Sequence, residues 1–282
     1  MNKWIAGARP KTLPAAIAPV AVATALAGEK WDPLLALLAL LVSLALQVGV
    51  NYANDYSDGV KGTDDNRIGP MRLVASGAAP AHQVKIAAYL ALGFGAVVGL
   101  ILALQTSLWL VAVGALAIAA AWGYTGGKNP YGYFGFGELS VFVFFGLVAT
   151  MGTYFAQTGE LTLNSLLVAI PMGCLSCALL AINNLRDRGA DELVGKRTLA
   201  VRLGDSSARK AFISLLLIAH LSVLFLLQPW TLLTLLLLPM TFSLIKAIRA
   251  GAKGAQLIPL LGKTGQLQLR FAILLSLGLL LS

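Results

Sequence analysis

The length of its apolar runs most constrains what this chain can fold into. Between Asp32 and Asp55, and again between Lys85 and Lys128, no residue carries a charge, and both stretches are rich in Leu and Ala. Backbone in such runs must pair its N–H and C=O groups internally once it leaves water, so only helices and closed barrels can span a membrane. The runs lack the ten-residue alternation of an outer-membrane strand, which selects helices. With 58% of its 282 residues hydrophobic and 12% charged, the chain carries about half the charge of a soluble domain. It reads as an all-α, polytopic integral membrane protein.

The apolar pattern predicts about nine spans, at 12–28, 33–55, 83–104, 107–124, 139–157, 162–184, 208–226, 229–247 and 265–282. No soluble segment or long linker separates them, so residues 1–282 read as a single domain. A net charge of +9 would suit a nucleic-acid binder, yet on this division 20 of the 21 Lys and Arg fall on one side, with Lys30 alone opposite. Basic residues retained in the cytoplasm give that asymmetry. The N-terminus is therefore expected in the cytoplasm of a bacterial inner or plasma membrane, with no nucleic-acid partner. The ATALAG stretch resembles a signal cleavage site, but Pro14 and Pro19 interrupt the apolar run before it. Cys174 and Cys177 fall inside the sixth span without a nearby His, and are expected to pack in the core.

Two polar stretches stand out, NYANDYSDGVKGTDDNR at 51–67 and NNLRDRGADELVGKR at 183–197, and together they hold seven of the twelve acidic residues. Asn51, Asp55 and Asp58 are spaced i, i+4, i+7, and Asn183, Asp187 and Asp191 are spaced i, i+4, i+8. Each set therefore shares one helix face. Each begins near the cytoplasmic end of an even-numbered span, so the two stripes can face each other across a central cavity.

Carboxylates at the membrane boundary that converge repel one another, and a divalent cation removes the repulsion. Oxygen donors without His or Cys favour a hard ion, and Mg²⁺ leaves positions for water and a substrate phosphate. Lys61, Arg67 and Arg72 follow the first stretch, while Arg186, Arg188, Lys196 and Arg197 surround the second. Mg²⁺ with Lys and Arg suits a diphosphate. Asp64 and Asp65 read equally well as solvated loop residues paired to Lys61 or Arg67.

These stretches resemble the paired aspartate motifs of the UbiA superfamily of intramembrane aromatic prenyltransferases. RPKTLPAAIAPV at 9–20, GPMRLVASG at 69–77 and YTGGKNPYGYFGFGE at 124–138 extend the resemblance in order along the chain. GVKGTDD and RPKTLP look most like the branch that uses 1,4-dihydroxy-2-naphthoate. One position departs: the common first motif ends in an aspartate where this chain has Gly62, and Asp64 or Asp65 is the candidate replacement.

The resemblance implies a helical bundle around a cavity, with Mg²⁺ bridging both motifs and a polyprenyl diphosphate. It implies Asp55, Asp58, Asp187, Asp191 and Asn51 as metal ligands, and Asn51, Asn183, Lys61, Arg72 and Lys128 as diphosphate contacts. Tyr124 would stand near the reacting carbon, and Arg9 and Lys11 would either bind the acceptor carboxylate or anchor the first span. Glu138 is explained by its place at a helix start. Phylloquinone-type, 4-hydroxybenzoate and homogentisate acceptors remain alternatives, since relatives share the diphosphate machinery. A secondary transporter is the competing class, and it would place acids at mid-depth with access from both faces.

Overall fold

The computed structural model describes residues 2–64, 69 and 71–282. Asp65 and Arg67 lie outside the described residues. In chain order the α-helices are α1 Lys3–Ala8, α2 Pro14–Leu26, α3 Pro33–Val60, α4 Ala81–Gln105, α5 Trp109–Gly123, α6 Gly137–Val141, α7 Ala149–Thr158, α8 Leu163–Leu193, α9 Leu199–Val223, α10 Leu238–Arg249 and α11 Leu257–Leu280. A π-helical turn, Phe142–Val148, joins α6 to α7, and a 3₁₀ segment, Pro229–Leu237, leads into α10. Among the described residues there is no strand, and six helical stretches are long and apolar enough to cross a membrane, with α2 and α5 shorter apolar helices. The chain is a multi-pass, all-α membrane protein.

Among the helices that run longer than the apolar pattern predicts, α3 and α8 carry the polar motifs. Asp32 caps α3 by accepting from the N–H groups of Leu34 and Leu35 at 2.7 and 3.0 Å, with Pro33 at the first helical position. Thr162 and Ser165 form a reciprocal capping box at the start of α8. From there α3 continues for 28 residues and α8 for 31, or about 42 and 46 Å at 1.5 Å per residue. A hydrocarbon layer of about 30 Å leaves more than two turns of each projecting at the far end. The acidic stripes ride on those projecting turns and so escape the hydrocarbon.

α8 is the axis of the bundle, buried along most of its length by α9, α11, α2 and the α6–α7 wall. Phe212, Phe271, Leu175, Leu216 and Leu267 fill the space around it. The closest crossing is at Gly146, where a Cβ would stand 2.5 Å from the Gly173 Cα. Backbones meet there as small residues allow in membrane helix pairs. Cys174 and Cys177 are buried free thiols in this core, as expected. Two helix starts and the placement of one residue differ from expectation. α9 begins at Leu199 and breaks at Gly204 (φ 74°, ψ 170°); α11 begins at Leu257 rather than 265; and Arg270, counted above with the basic side, is an exposed residue within α11.

Candidate active site

The projecting ends of α3 and α8 stand at one mouth of a cavity of about 400 Å³. Its polar end carries Arg9, Thr12, Asn51, Asn54, Tyr124 and Asn183, and from there it runs between α2, α3, α4, α5 and the α6–α7 wall over almost wholly apolar side chains. The N-terminal segment is stapled to this mouth. Asn51 donates through Nδ2 to the Ala8 carbonyl at 3.0 Å and to Thr12 Oγ1 at 3.2 Å, while Arg9 donates to the Asn51 carbonyl at 3.2 Å. Arg9 pays for that reach with a left-handed backbone (φ 54°).

All four principal aspartates are buried, but their partners differ. Asp55, fully inaccessible, accepts from the backbone N–H groups of Leu73 and Val74 at 2.9 and 3.1 Å. It thus anchors the segment after Gly69, and Gly59 lies close against Val74 in the same contact. Asp187 is held by Arg186 in a bidentate pair, both hydrogen bonds 2.7 Å long and both side chains buried. The Arg186 guanidinium also lies against Gly69, so one segment touches both motifs. Asp64 lies 3.2 Å from the Arg72 Nε in a buried ion pair, rather than with Lys61. Gly62, where the departure from the common motif occurs, turns the chain with φ 69°.

Asp58 and Asp191 are the acids that meet across the gap. Lys196 Nζ stands 3.2 Å from Asp58 Oδ2 and 3.9 Å from Asp191 Oδ1. Tyr133 completes this group: its hydroxyl donates to Asp58 Oδ1 at 2.7 Å and lies 3.3 Å from Thr63 Oγ1. Its ring lies 4.9 Å from Lys61 Nζ and 5.0 Å from Lys196 Nζ, within the range of cation–π attraction. The Tyr133 carbonyl accepts the Arg197 N–H at 2.9 Å. One residue therefore ties together the end of α3, the 124–137 loop and the segment after α8.

Lys61 also donates to the Thr125 carbonyl at 2.7 Å, and Thr125 Oγ1 donates to Asn54 at 2.8 Å, locking the 124–137 loop onto α3. Burial and the nearby Lys196 ammonium push the Lys61 pKa down, with Asp58 opposing them. Burial and the Asp58 carboxylate push Tyr133 well up, so it keeps its proton and donates at neutral pH. Tyr124 is likewise held well above its ordinary value by burial first, then by Glu138, Tyr131, Asp58 and Asp191. Its ring packs edge-on against Tyr131 at 5.6 Å, and it faces the cavity as a phenol.

Of the residues singled out by spacing or resemblance, Asn51, Asn183, Tyr124 and Arg9 line the cavity, while Asp58, Asp191 and Lys61 gather around Tyr133 and Lys196. Lys128 stands exposed in the loop after Tyr124, without a hydrogen bond or ion pair among the described residues, and Lys11 is exposed ahead of α2. Tyr133 was not singled out, although it lies in the YTGGKNPYGYFGFGE stretch. Only the folding of that loop onto the acids reveals its role. Glu138 does more than complement a helix start, since its Oε1 accepts from Asn184 Nδ2 at 2.9 Å.

The donor chemistry fits a hard divalent cation, because the acids facing the gap bring carboxylate oxygens without His or Cys. Lys196 already places a positive charge between Asp58 and Asp191, so the two motifs converge on a cation position. Among the described residues, no three Asp, Glu, His or Cys side chains stand close enough to form a complete metal cage. Asp55 and Asp187 are instead engaged by backbone N–H groups and by Arg186.

Known proteins resemble this chain along nearly its whole length. The sequence profile of the UbiA prenyltransferase family matches residues 16–256. A 1,4-dihydroxy-2-naphthoate octaprenyltransferase of Mycobacterium tuberculosis is 49% identical over 277 residues, covering 96% of this chain and 94% of that protein. The protein of the same name from Escherichia coli is 38% identical over 293 residues, covering 99% of this chain and 95% of that one. A UbiA homologue from Archaeoglobus fulgidus, solved bound to GPP and Mg²⁺, superimposes with a TM-score of 0.66 at 14% identity, covering 98% of this chain and 100% of that one.

Proposed function

This chain belongs to the UbiA prenyltransferase family, and from that premise we propose that it transfers a polyprenyl group from a polyprenyl diphosphate to 1,4-dihydroxy-2-naphthoate. Diphosphate and the acceptor carboxylate are lost, the latter as CO₂, giving a demethylmenaquinol, the reduced form of a demethylmenaquinone. The observation that carries the reading is the meeting of Asp58 and Asp191, one from each motif, on the Lys196 ammonium at 3.2 and 3.9 Å. Relatives named for this reaction cover nearly the whole chain. The site faces the cytoplasm of the bacterial inner membrane, in keeping with the basic residues clustered at that end.

Asp58 and Asp191 would hold Mg²⁺, with Asp55, Asp187 and Asn51 the remaining oxygen donors of the two stripes. When bound, the ion neutralises charge on the diphosphate oxygens as the allylic C–O bond breaks. The protein's own cations act on the same charge. Lys61, Lys196 and Arg72 lie beside the acids and favour the leaving diphosphate as its charge develops. Tyr124, kept protonated, offers a hydrogen bond at the polar end of the cavity. The apolar walls beyond it keep water from the allylic cation. The electron-rich acceptor ring then forms the carbon–carbon bond, and release of the carboxylate as CO₂ restores its aromaticity. Arg9, at the same mouth, is placed to bind that carboxylate.

The acids sit at the ends of long helices rather than at mid-depth, which supports an enzyme over an ion-coupled carrier. The test is to incubate purified protein with a polyprenyl diphosphate, Mg²⁺ and either 1,4-dihydroxy-2-naphthoate or 4-hydroxybenzoate, and to identify products by mass. A prenylated, decarboxylated naphthoquinol is expected, with diphosphate release lost in Asp187→Asn. Intact release in that variant would overturn the catalytic reading; a product from 4-hydroxybenzoate alone would overturn the acceptor.

A further inference from the structure

Beyond Asp205 the chain holds seven Lys and Arg and no Asp or Glu. Arg209 pairs with Asp205, but the cations of α11 have no such partner: among the described residues neither Lys263 nor Arg270 forms an ion pair, and Arg270 reaches only the Met240 sulfur at 4.0 Å. Arg270 is also 14th of the 24 residues of α11 and exposed on its outer face. Retention of basic residues in the cytoplasm explains Lys263, near the start of the helix. It does not explain a guanidinium in the middle of one, where a charged side chain facing lipid is costly unless it is paired.

The outer face of α11 has an ordered composition. Lys263, Gln266, Arg270, Ile273, Leu277 and Leu280 are all exposed, and their alternating spacings of three and four place them on one stripe. Leu267, Phe271 and Leu275 on the other face are fully buried. The stripe is polar over its first two turns and apolar afterwards. Gly265 packs against the Lys11 carbonyl, in the segment just ahead of α2, so this part of α11 stands level with the basic N-terminal segment. Arg270 lies five residues deeper, about 7.5 Å, a depth from which its side chain can snorkel back. Lys263 and Arg270 are about 10.5 Å apart along the axis, so two long side chains can close on one phosphate beside Gln266. Acyl chains attached to that phosphate would continue along Ile273, Leu277 and Leu280.

We propose that this stripe binds an anionic phospholipid, its headgroup phosphate held by Lys263, Gln266 and Arg270. The counter-charge missing from the last helices comes from the bilayer. The proposal is independent of the chemistry assigned to the two acidic motifs, which lie on other helices.

The experiment uses the full chain purified in detergent and offered equal amounts of phosphatidylglycerol and phosphatidylcholine with matched acyl chains, with retained lipid measured by native mass spectrometry. Two basic residues near an anionic headgroup predict a preference for phosphatidylglycerol on the order of ten- to thirty-fold. The Lys263→Gln/Arg270→Gln variant should bring the two lipids within about twofold of each other. Arg270→Leu removes the charge that opposes insertion, so failure to fold does not account for its effect, and it should lose several-fold of the preference. Excess inorganic phosphate should leave the lipid bound. Equal retention of both lipids by the unaltered chain, an unchanged preference in the variants, or a protein partner whose association depends on Arg270 would each overturn the proposal.

Discussion

Replacing Tyr133 by Phe removes one hydroxyl and leaves the ring in place. The lost hydrogen bond runs to a buried carboxylate, Asp58, at 2.7 Å, and bonds to charged groups contribute about 1.5–3 kcal/mol. Asp58 keeps its contact with Lys196 at 3.2 Å, so the carboxylate is not orphaned and the lower figure applies. About 1.5 kcal/mol corresponds to roughly tenfold. Tyr133→Leu also deletes the ring that lies 4.9 and 5.0 Å from the Lys61 and Lys196 ammonium groups. At about 0.5–1 kcal/mol for each cation–π contact, the combined loss rises to about 2.5–3.5 kcal/mol, on the order of a hundredfold or more. Because these contacts orient groups that bind metal and diphosphate, the change should fall on Mg²⁺ half-saturation and on KM for the polyprenyl diphosphate. The assay is steady-state diphosphate release at saturating acceptor, titrating each ligand in turn and recording melting temperature alongside. Both variants matching the parent, or losing kcat alone with ligand dependence intact, would refute the argument.

Asp55→Asn keeps one acceptor and loses the other, so hydrogen exchange at Leu73 and Val74 should rise by an order of magnitude, for about 1–2 kcal/mol of lost anchoring. Unaltered exchange with a changed Mg²⁺ dependence would make Asp55 a ligand rather than an anchor. Gly146→Leu must force apart backbones that already touch at Gly173, and should destabilise the fold by about 1–3 kcal/mol or more, read as a lower melting temperature in detergent. As pH rises, the depressed pKa of Lys61 means that its ammonium is lost earlier than that of an ordinary lysine. Diphosphate binding that needs the charged form is therefore complete below the folded pKa and fades above it. KM should climb on the alkaline side, and Lys61→Arg, charged throughout, should flatten that limb.

Helix positions were legible from the apolar runs because lipid leaves the backbone few alternatives. The i, i+4 spacing of Asn and Asp was equally legible, since a helix converts spacing directly into a shared face. What spacing could not convey is which partner each acid takes. Asp55 and Asp187 read as equivalent members of matching stripes, yet one accepts from Leu73 and Val74 while the other is clasped by Arg186. Those choices depend on where the segment after Gly69 lands, a long-range outcome of packing. Tyr133 escaped notice for the same reason. The place of Arg270 was obscured by the count of basic residues by side, which grouped it with the loops although it lies inside both the span predicted at 265–282 and α11.

The 400 Å³ behind the two motifs bears on a different question, the length of the tail. On the proposed reaction, that finite and almost wholly apolar space takes the first isoprene units of a donor, and a tail longer than the cavity continues beyond it among the lipids. A site built that way does not measure the rest of the tail. Shortened donors should therefore be accepted with little change in KM until they no longer fill those first units.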